Sequence, residues 1–280
     1  MKKIISLLLL FVFVACKKDG KVVVNDWAND GLKGSVASYR ITNYLAALDL
    51  GEIFPSDVIG AEGRIVYNQK GNRVEEFWRF NEETSRKEYV YDEVENCVEL
   101  LSYNPSNEVE ERGVFVYEKG ILREELYYNA KNELFSKLEY TFDENGNLTK
   151  LSEYDPKGIL EESHTSKFKD GLEQERYTYY YDANNILVTK YEYVYDKNRN
   201  LIEGLLYDNA KNLLGRWVYA YDEFQNLISE ESIDAEEVLV EKRTYTYKYD
   251  EKGNWVERIT YDGVENEPRV ITKRQFEYFD

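Results

Sequence analysis

The side chains that could carry chemistry in this sequence are mostly carboxylates. Asp and Glu account for 54 of the 280 residues, and adjacent pairs such as Glu110-Glu111 and Glu230-Glu231 recur along the chain. A glycoside hydrolase needs two carboxyl groups set across a cleft, one of them with a raised pKa. The acid pairs of this chain are spread over many strand positions, so the sequence identifies no pair as the two catalytic carboxyl groups. The sequence therefore predicts no catalytic residue and a protein that is not an enzyme.

Histidine and cysteine offer little further chemistry. His164 is the single histidine, and Cys16 and Cys97 are the two cysteines. One histidine without a local motif supports neither a Ser-His-Asp nor a Cys-His arrangement, and it cannot build a histidine metal site. Cys97 has no basic cluster near it in the sequence that would lower its thiol pKa. We therefore expect a free, partly buried thiol there and no cofactor.

Two acidic segments resemble the start of a calcium loop. Residues 143–147 (DENGN) and 196–200 (DKNRN) place oxygen atoms at alternate positions. A complete EF-hand loop continues with Gly at its sixth place and Glu at its twelfth, where the first segment has Leu148 and Tyr154. We predict no metal site and interpret both segments as chain reversals. Weak calcium binding along an edge of stacked corners is the alternative.

Aromatic side chains are the better candidates for a binding function. The chain has 26 Tyr, 12 Phe and 4 Trp. Exposed Tyr and Trp form platforms for glycans and hot spots for proteins, because each has an apolar face and a polar tip. The candidate binding residues are Trp78, Tyr180 and Trp217. Alternatively, both faces of a curled sheet are partly buried and these residues belong to the core.

An aromatic residue before a polar corner recurs through most of the chain. A second set of such positions falls between the members of the first, so a unit of about 26 residues contains two chain reversals. About eight units cover residues 67–280. The first set consists of Tyr67, Tyr91, Tyr117, Phe142, Phe168, Tyr195, Tyr221, Tyr249 and Phe279.

Corners and alternation together predict strands. In corners such as YDENGNL and YDKNRNL, Asp can accept hydrogen bonds from turn amides, and a later Asn or Gly tolerates positive φ. Tyr177, Tyr179 and Tyr181 alternate, which is the period of a strand. The predicted fold is all-β, a repetitive antiparallel β-hairpin meander. About sixteen strands at about 4.8 Å spacing exceed what an open sheet tolerates, so we expect a strongly twisted or spiralling sheet.

The beginning of the chain predicts the cellular location of the protein. MKKIISLLLLFVFVAC has two lysines, a short apolar run and Ala15-Cys16, which resembles the lipobox of bacterial lipoproteins. The resemblance implies a signal peptide over residues 1–16 and lipidation of Cys16. Residues 17–30 are then a tether. We expect residues 31–66 to be an N-terminal capping segment that begins with a long strand, and a helix over residues 31–50 is the alternative. The expected location is the bacterial envelope, anchored to the outer membrane and either periplasmic or surface-exposed.

The repeated corner also resembles a known family. YKYDEKGNW and YTFDENGNL are similar to the YD repeats of Rhs-type bacterial proteins, over about three quarters of the chain. The unit here is longer, many corners lack Gly, and about eight units are too few for the closed toxin container of those proteins. The resemblance therefore implies the fold but not toxin delivery. A looser likeness to short hairpin-repeat proteins related to MORN repeats implies an antitoxin or immunity role.

The net charge of the chain restricts the classes of molecule that it is expected to bind. Lys and Arg total 36 against 54 Asp and Glu, a net charge of −18. Such acidity opposes nucleic-acid binding, which requires neutralisation of phosphates. We expect a non-catalytic, lipid-anchored protein that binds a carbohydrate, an envelope component or a protein. The alternative is a periplasmic immunity-like partner of a secreted effector, whose basic surface the acidic face would meet.

Overall fold

A computed structural model describes residues 25–182 and 185–280 of the chain. The predicted signal peptide, Cys16 and residues 17–24 of the predicted tether lie outside the described residues. Within the described ranges no helix is long and apolar enough to cross a membrane.

The described chain consists of one short helix and nineteen strands. The helix α1 spans Asp26–Asn29. The strands are β1 (Val36–Asp49), β2 (Glu52–Val58), β3 (Ala61–Tyr67), β4 (Arg73–Phe80), β5 (Glu83–Tyr91), β6 (Cys97–Tyr103), β7 (Val109–Glu118), β8 (Ile121–Asn129), β9 (Leu134–Phe142), β10 (Leu148–Tyr154), β11 (Leu160–Lys169), β12 (Leu172–Asp182), β13 (Asn185–Tyr195), β14 (Leu201–Tyr207), β15 (Leu213–Tyr221), β16 (Leu227–Asp234), β17 (Leu239–Tyr249), β18 (Trp255–Asp262) and β19 (Glu267–Tyr278).

The strands form one closed antiparallel ring. From β3 to β19 every strand pairs with the next in the chain. Strand β1 pairs with β19 along one edge and with β3 along the other, whereas β2 pairs with β1. Eighteen strands therefore close into a β-barrel with β2 attached at the seam. The predicted all-β antiparallel meander is confirmed. The sheet, which was expected to be strongly twisted or spiralling, closes into a barrel.

The two faces of the barrel carry different chemistry. Burial is the largest cause that raises the pKa of Tyr89, Tyr127 and Tyr140, which share one face. On the other face, ion pairs run between neighbouring strands; Lys137 Nζ lies 2.8 Å from an oxygen of Glu124. A closed ring desolvates the side chains that it encloses, so we assign the face of Tyr89 to the inside.

Eleven five-residue corners of the described chain share one hydrogen-bonding scheme. The first residue, always Asp or Asn, donates its amide to the fifth carbonyl and accepts the amide of the fourth. Its side-chain oxygen accepts the amide of the fifth residue in every case. The corners are residues 68–72, 92–96, 104–108, 129–133, 143–147, 155–159, 196–200, 208–212, 222–226, 234–238 and 250–254.

The fourth corner residue always has positive φ, between 60° and 87°. Gly or Asn was expected at this place, but five corners have another residue: Glu95, Arg199, Lys211, Gln225 and Glu237. The left-handed conformation is costly for such residues. Hydrogen bonds from the first residue hold the turn, so the corner tolerates side chains that intrinsic preference disfavours.

The aromatic residue before the corner marks a β-bulge. Pairing registers shift at Tyr67, Tyr91, Tyr195 and Tyr221, each just before a corner. A bulge places one extra residue in a strand and increases the local twist. Repetition of this distortion around the sheet supplies curvature, which a ring of strands needs in order to close.

The N-terminal part of the described chain packs onto the barrel seam. Residues 25–30, which the sequence analysis assigns to the tether, include helix α1 and contact the β3–β4 corner. The Trp27 amide donates to the Gly71 carbonyl at 3.0 Å, and its ring packs against Tyr67 and the core residues Val36 and Tyr39. Partial burial of the Trp27 ring ties residues before 31 to the barrel.

We predict that Asp143→Ala lowers the free energy of unfolding by about 1 kcal/mol, because two corner amides lose their acceptor. The Asp143 Oδ1 accepts the amides of Asn145 and Asn147, each at 2.9 Å. Asp143→Asn is the matched control and should be nearly neutral, since Asn begins three natural corners. Denaturant unfolding measures the difference. Equal losses for the two variants would contradict this role of the oxygen.

The same corner predicts a pH dependence. Burial opposes ionisation of Asp143, but hydrogen bonds from the Asn147 side chain and from corner amides outweigh it and lower the pKa below 3.8. A lowered folded-state pKa contributes stability above the unfolded pKa, and that stability is lost as pH falls through the folded value. The wild-type chain should therefore lose more stability than Asp143→Asn when unfolding is compared at pH 6 and pH 2.5.

Candidate functional site

The predicted binding residues Trp78, Tyr180 and Trp217 all belong to the enclosed face, on strands β4, β12 and β15. Tyr180 is 41% exposed, whereas both tryptophans are half-buried. The barrel separates the three residues along the ring, so they do not form one site. Their part in binding stays a prediction.

The two tryptophans cover glycines on neighbouring strands. Gly63 is paired with Trp78, and Gly204 with Trp217. A Cβ atom at Gly63 would lie 2.5 Å from the Trp78 ring, against 3.8 Å between Gly204 and the Trp217 ring. An aromatic ring over a strand glycine fills the space that the missing side chain leaves. This contact gives both tryptophans a structural role and explains why they are half-buried.

A group of aromatic residues that sequence reasoning did not select forms a pocket of about 420 Å³. It lies between the β15–β16 corner and strand β17. The sequence signal was present, because the alternating tyrosines of β17 share a face and Phe224 is an aromatic residue inside an otherwise polar type of corner. The aromatic pocket, as we call it, is lined by Asp222, Glu223, Phe224, Ile228, Tyr245, Thr246, Tyr247 and Tyr249.

The rings of the aromatic pocket are tilted against each other and open to solvent. The centroids of Phe224 and Tyr249 are 6.0 Å apart at 52°, and those of Tyr247 and Tyr249 are 6.2 Å apart. Phe224 is 60% exposed and Tyr249 37%. An exposed apolar ring flanked by a second ring offers a surface on which a flat, partly apolar ligand can stack.

Polar groups are fixed at the edge of the same rings. Tyr249 Oη accepts a hydrogen bond from Asn226 Nδ2 at 2.8 Å and donates to Asp222 Oδ2 at 3.3 Å. Burial, followed by the charge of Asp222, raises the pKa of Tyr249 to about 12. The phenol therefore stays protonated at neutral pH. Asp222 stays ionised because hydrogen bonds from Asn226 and the Phe224 amide outweigh burial and lower its pKa.

Arginines continue the aromatic surface from the pocket to the barrel seam. The Arg258 guanidinium lies 5.3 Å from the Tyr245 ring and 5.5 Å from Trp255. Arg274 lies 4.0 Å from Trp255 and 4.5 Å from Tyr39. Such cation–π contacts hold the guanidinium planes against the rings. Among the described residues, the Nε atoms of Arg258 and Arg274 have no hydrogen-bond partner.

The enclosed face of β8 to β11 holds carboxylates with perturbed pKa values. Burial raises the pKa of Glu125, which is 5% exposed and accepts a hydrogen bond from Tyr127 at 2.6 Å. Burial also raises the pKa of Glu153, and the neighbouring charge of Glu162 adds to the effect. His164 bonds to Glu162 at 3.0 Å. None of these four groups lines the aromatic pocket.

The remaining residues that the sequence suggested for metal binding or thiol chemistry have structural roles. Asp143 and Asp196 bind amides of their own corners, as expected for chain reversals. The described residues contain no group of three or more His, Cys, Asp or Glu side chains that could hold a metal ion. Cys97 is free, and burial raises its pKa to about 12, which leaves it as an unreactive thiol at neutral pH.

Comparison with known proteins identifies no family. No family model matches the chain, and no curated protein matches it. Solved structures share weak similarity in backbone arrangement. A porin-like protein from Bacteroides uniformis is 10% identical, with a TM-score of 0.46 over 88% of this chain and 99% of that one.

Two further solved structures are also weakly similar to this chain. A porin-like protein from Bacteroides vulgatus is 8% identical, with a TM-score of 0.32 over 87% of this chain and 99% of that one. The Tc holotoxin pore of Photorhabdus luminescens is 13% identical, with a TM-score of 0.22 over 79% of this chain but 16% of that one.

The glycine contacts generate a matched pair of predictions. Gly63→Ala should destabilise the barrel by about 2 kcal/mol, because the new methyl group meets the rigid Trp78 ring. Gly204→Ala, which has ordinary contact distances, should be neutral or slightly stabilising. Thermal unfolding, together with near-ultraviolet circular dichroism of the tryptophans, measures both. Equal destabilisation of the two variants would contradict the packing role of Trp78.

Proposed function

We propose that this protein is a non-catalytic, lipid-anchored binding protein of the bacterial envelope and that it binds carbohydrate in the aromatic pocket. The observation that carries the proposal is the exposed, tilted ring pair of Phe224 and Tyr249 beside hydrogen-bonding groups of Asp222. The pocket is an open surface hollow, which suits a ligand that stacks on an exposed ring face.

Sugar chemistry fits this combination of groups. A pyranose ring has an apolar face of C–H groups, which stacks on an aromatic ring, and hydroxyl groups around its edge. The Asp222 carboxylate accepts hydrogen bonds from such hydroxyls, and the Tyr249 phenol can donate or accept. The two groups already bond to each other, so neither position depends on the ligand. Preorganisation of this kind lowers the cost of binding.

The pattern of charges favours attachment by a lipid over insertion of the barrel itself. Charged side chains lie on the outer face on many strands, as in the pair of Lys137 with Glu124 and the pair of Lys190 with Glu175. A charged residue that faces lipid near the bilayer centre costs about 2–4 kcal/mol when it is Lys or Arg. We therefore place the barrel in an aqueous compartment of the envelope, tethered through Cys16, and regard its repeats as relatives of YD repeats.

Phe224→Ala should weaken carbohydrate binding at least tenfold, which corresponds to about 1.4 kcal/mol, through loss of the stacking surface. A panel of hexasaccharides of glucose and of N-acetylglucosamine, followed by calorimetry of the best ligand, provides the measurement. Phe135→Ala is the matched control, since Phe135 is also exposed but lies at the other end of the barrel. Binding that survives Phe224→Ala would rule out the pocket. No binding by any saccharide of the panel would count against the proposal.

Cys16→Ser should abolish lipid attachment. Metabolic labelling with a radioactive fatty acid should modify the wild-type chain and not the variant, and only the wild type should sediment with membranes. Cys97→Ser is the control, because this partly buried thiol is not expected to be acylated. Labelling of the Cys16→Ser chain would refute the anchor, whereas the carbohydrate site would be unaffected.

A further inference from the structure

The β1–β2 hairpin extends past the closed ring. The last pairing between β1 and β19 joins Leu45 to Val270. Beyond it, residues 46–49 of β1 pair with residues 52–55 of β2. We call residues 45–58 the arm. A two-stranded hairpin without a third strand is only marginally stable by itself. The barrel stabilises few of the side chains of the arm.

The arm exposes large apolar side chains. Leu48 is 63% exposed, Leu50 97%, and Val58 52%, and Leu45 and Phe54 are each 44% exposed. Single exposed apolar residues are ordinary on a protein surface, but a group of them on one projecting hairpin is typical of an interaction site. Leu45 and Phe54 lie on one face of the hairpin and Leu48 on the other, because Ala47 pairs with Phe54 and Leu48 with Ile53. These five side chains lie within fourteen consecutive residues of the chain.

Neighbouring loops at the same end of the barrel extend this apolar surface. The β16–β17 and β18–β19 connections, which precede β1 in the ring, expose further apolar residues. Most exposed large apolar residues of the described chain belong to this end. Outside the arm they are Phe80, Val109, Phe135, Ile159, Tyr180, Ile186, Leu187, Leu214, Val238, Leu239, Val240 and Val264.

The charge of the arm is entirely negative. Asp49, Glu52 and Asp57 are its ionisable residues, and the nearest basic residues in the sequence are Arg40 and Arg64. An apolar surface with carboxylates among its side chains complements a segment that carries apolar and cationic residues side by side.

The charge also decides between the possible occupants. A second copy of the chain would bring the three carboxylates of one arm against those of the other, and like charges at a contact are unfavourable. Anionic lipid is disfavoured for the same reason. The described chain begins at Asn25, at the opposite end of the barrel, where Asn25 Nδ2 donates to the Lys70 carbonyl at 2.7 Å. The polypeptide that leads to Cys16 therefore joins the described chain at the end away from the arm.

We propose that the arm is a docking surface for a cationic, amphipathic segment of a partner protein. Leu45 and Phe54 lie on the same face of the hairpin as Asp49 and Glu52, and Leu50 lies at its tip. The apolar face of the segment covers these three apolar side chains, and its basic residues meet the two carboxylates. The arm and the aromatic pocket lie at opposite ends of the barrel, so the two proposals stand independently. A cationic partner is also what the alternative expectation of an immunity-like protein requires.

A defined peptide probe tests the proposal. The probe is a fluorescent 18-residue peptide of Leu and Lys with the spacing of an amphipathic helix, and a Ser and Lys peptide of equal charge is its control. The described contacts that close the ring lie within residues 36–278, so a chain without its first 24 residues serves as the test protein. Fluorescence anisotropy at 150 mM and 500 mM salt measures binding.

The paired substitutions Leu50→Ser and Phe54→Ser should weaken binding of the Leu and Lys peptide at least tenfold. Val94→Ser with Val194→Ser is the matched control, because these exposed valines lie at the other end of the barrel, and it should change binding less than twofold. Asp49→Asn with Glu52→Gln should weaken binding at 150 mM salt and have a smaller effect at 500 mM. Circular dichroism confirms that each variant folds.

Three results would overturn the proposal. The first is equal binding of the Leu and Lys peptide to the arm variant and to the wild type. The second is equal affinity of the two peptides for the wild type, which would indicate general attraction to an acidic protein. The third is an arm-dependent dimer in sedimentation, or arm-dependent flotation with phosphatidylcholine and phosphatidylglycerol vesicles, in place of peptide binding.

Discussion

The structure depends on the pairing of one strand at both of its edges. Strand β1 joins the last strand of the ring to β3, and its pairs include Ser38 with Glu277 and Ser38 with Val66. A sheet of this many strands with two free edges would present long rows of unpaired amides and carbonyls. Closure removes those edges and separates an enclosed face from an outer one. The pocket, the desolvated tyrosines and the outer ion pairs all follow from that separation.

Corner hydrogen bonds and β-bulges give the sheet the curvature that it needs to close. Each corner satisfies its own amides through one Asp or Asn oxygen, and the bulge before it twists the strand. Aromatic rings over Gly63, Gly113 and Gly204 then fill the places where neighbouring strands would otherwise lack side-chain contact. Because every pairing between β3 and β19 joins consecutive strands, the meander requires a single pairing of high sequence separation, that of β1 with β19.

Polar contacts of the N-terminal segment hold the seam. Arg73 pairs with Asp30 and with Glu76, and the side chains of all three are less than one-fifth exposed. Asn254 receives the Lys33 amide at 2.8 Å and donates to the Lys33 carbonyl at 2.7 Å, across 221 residues. Partly buried ion pairs of this kind contribute more to a unique arrangement than to net stability. They fix the segment before β1 against the strands on both sides of the seam.

The sequence by itself determined the strands, the corners and the meander, because alternation and turn chemistry act over a few residues. The Asp143 and Asp196 corners and the shared face of Tyr245, Tyr247 and Tyr249 were readable for that reason. Ring closure was not, because it depends on a pairing between β1 and β19 that local pattern does not encode. Whether Trp78 and Trp217 are exposed was left open, since only the paired strand reveals the glycine beneath each ring. Only the tertiary structure brought Phe224 against Tyr249 and left the arm without a neighbour, because both depend on where the ring ends.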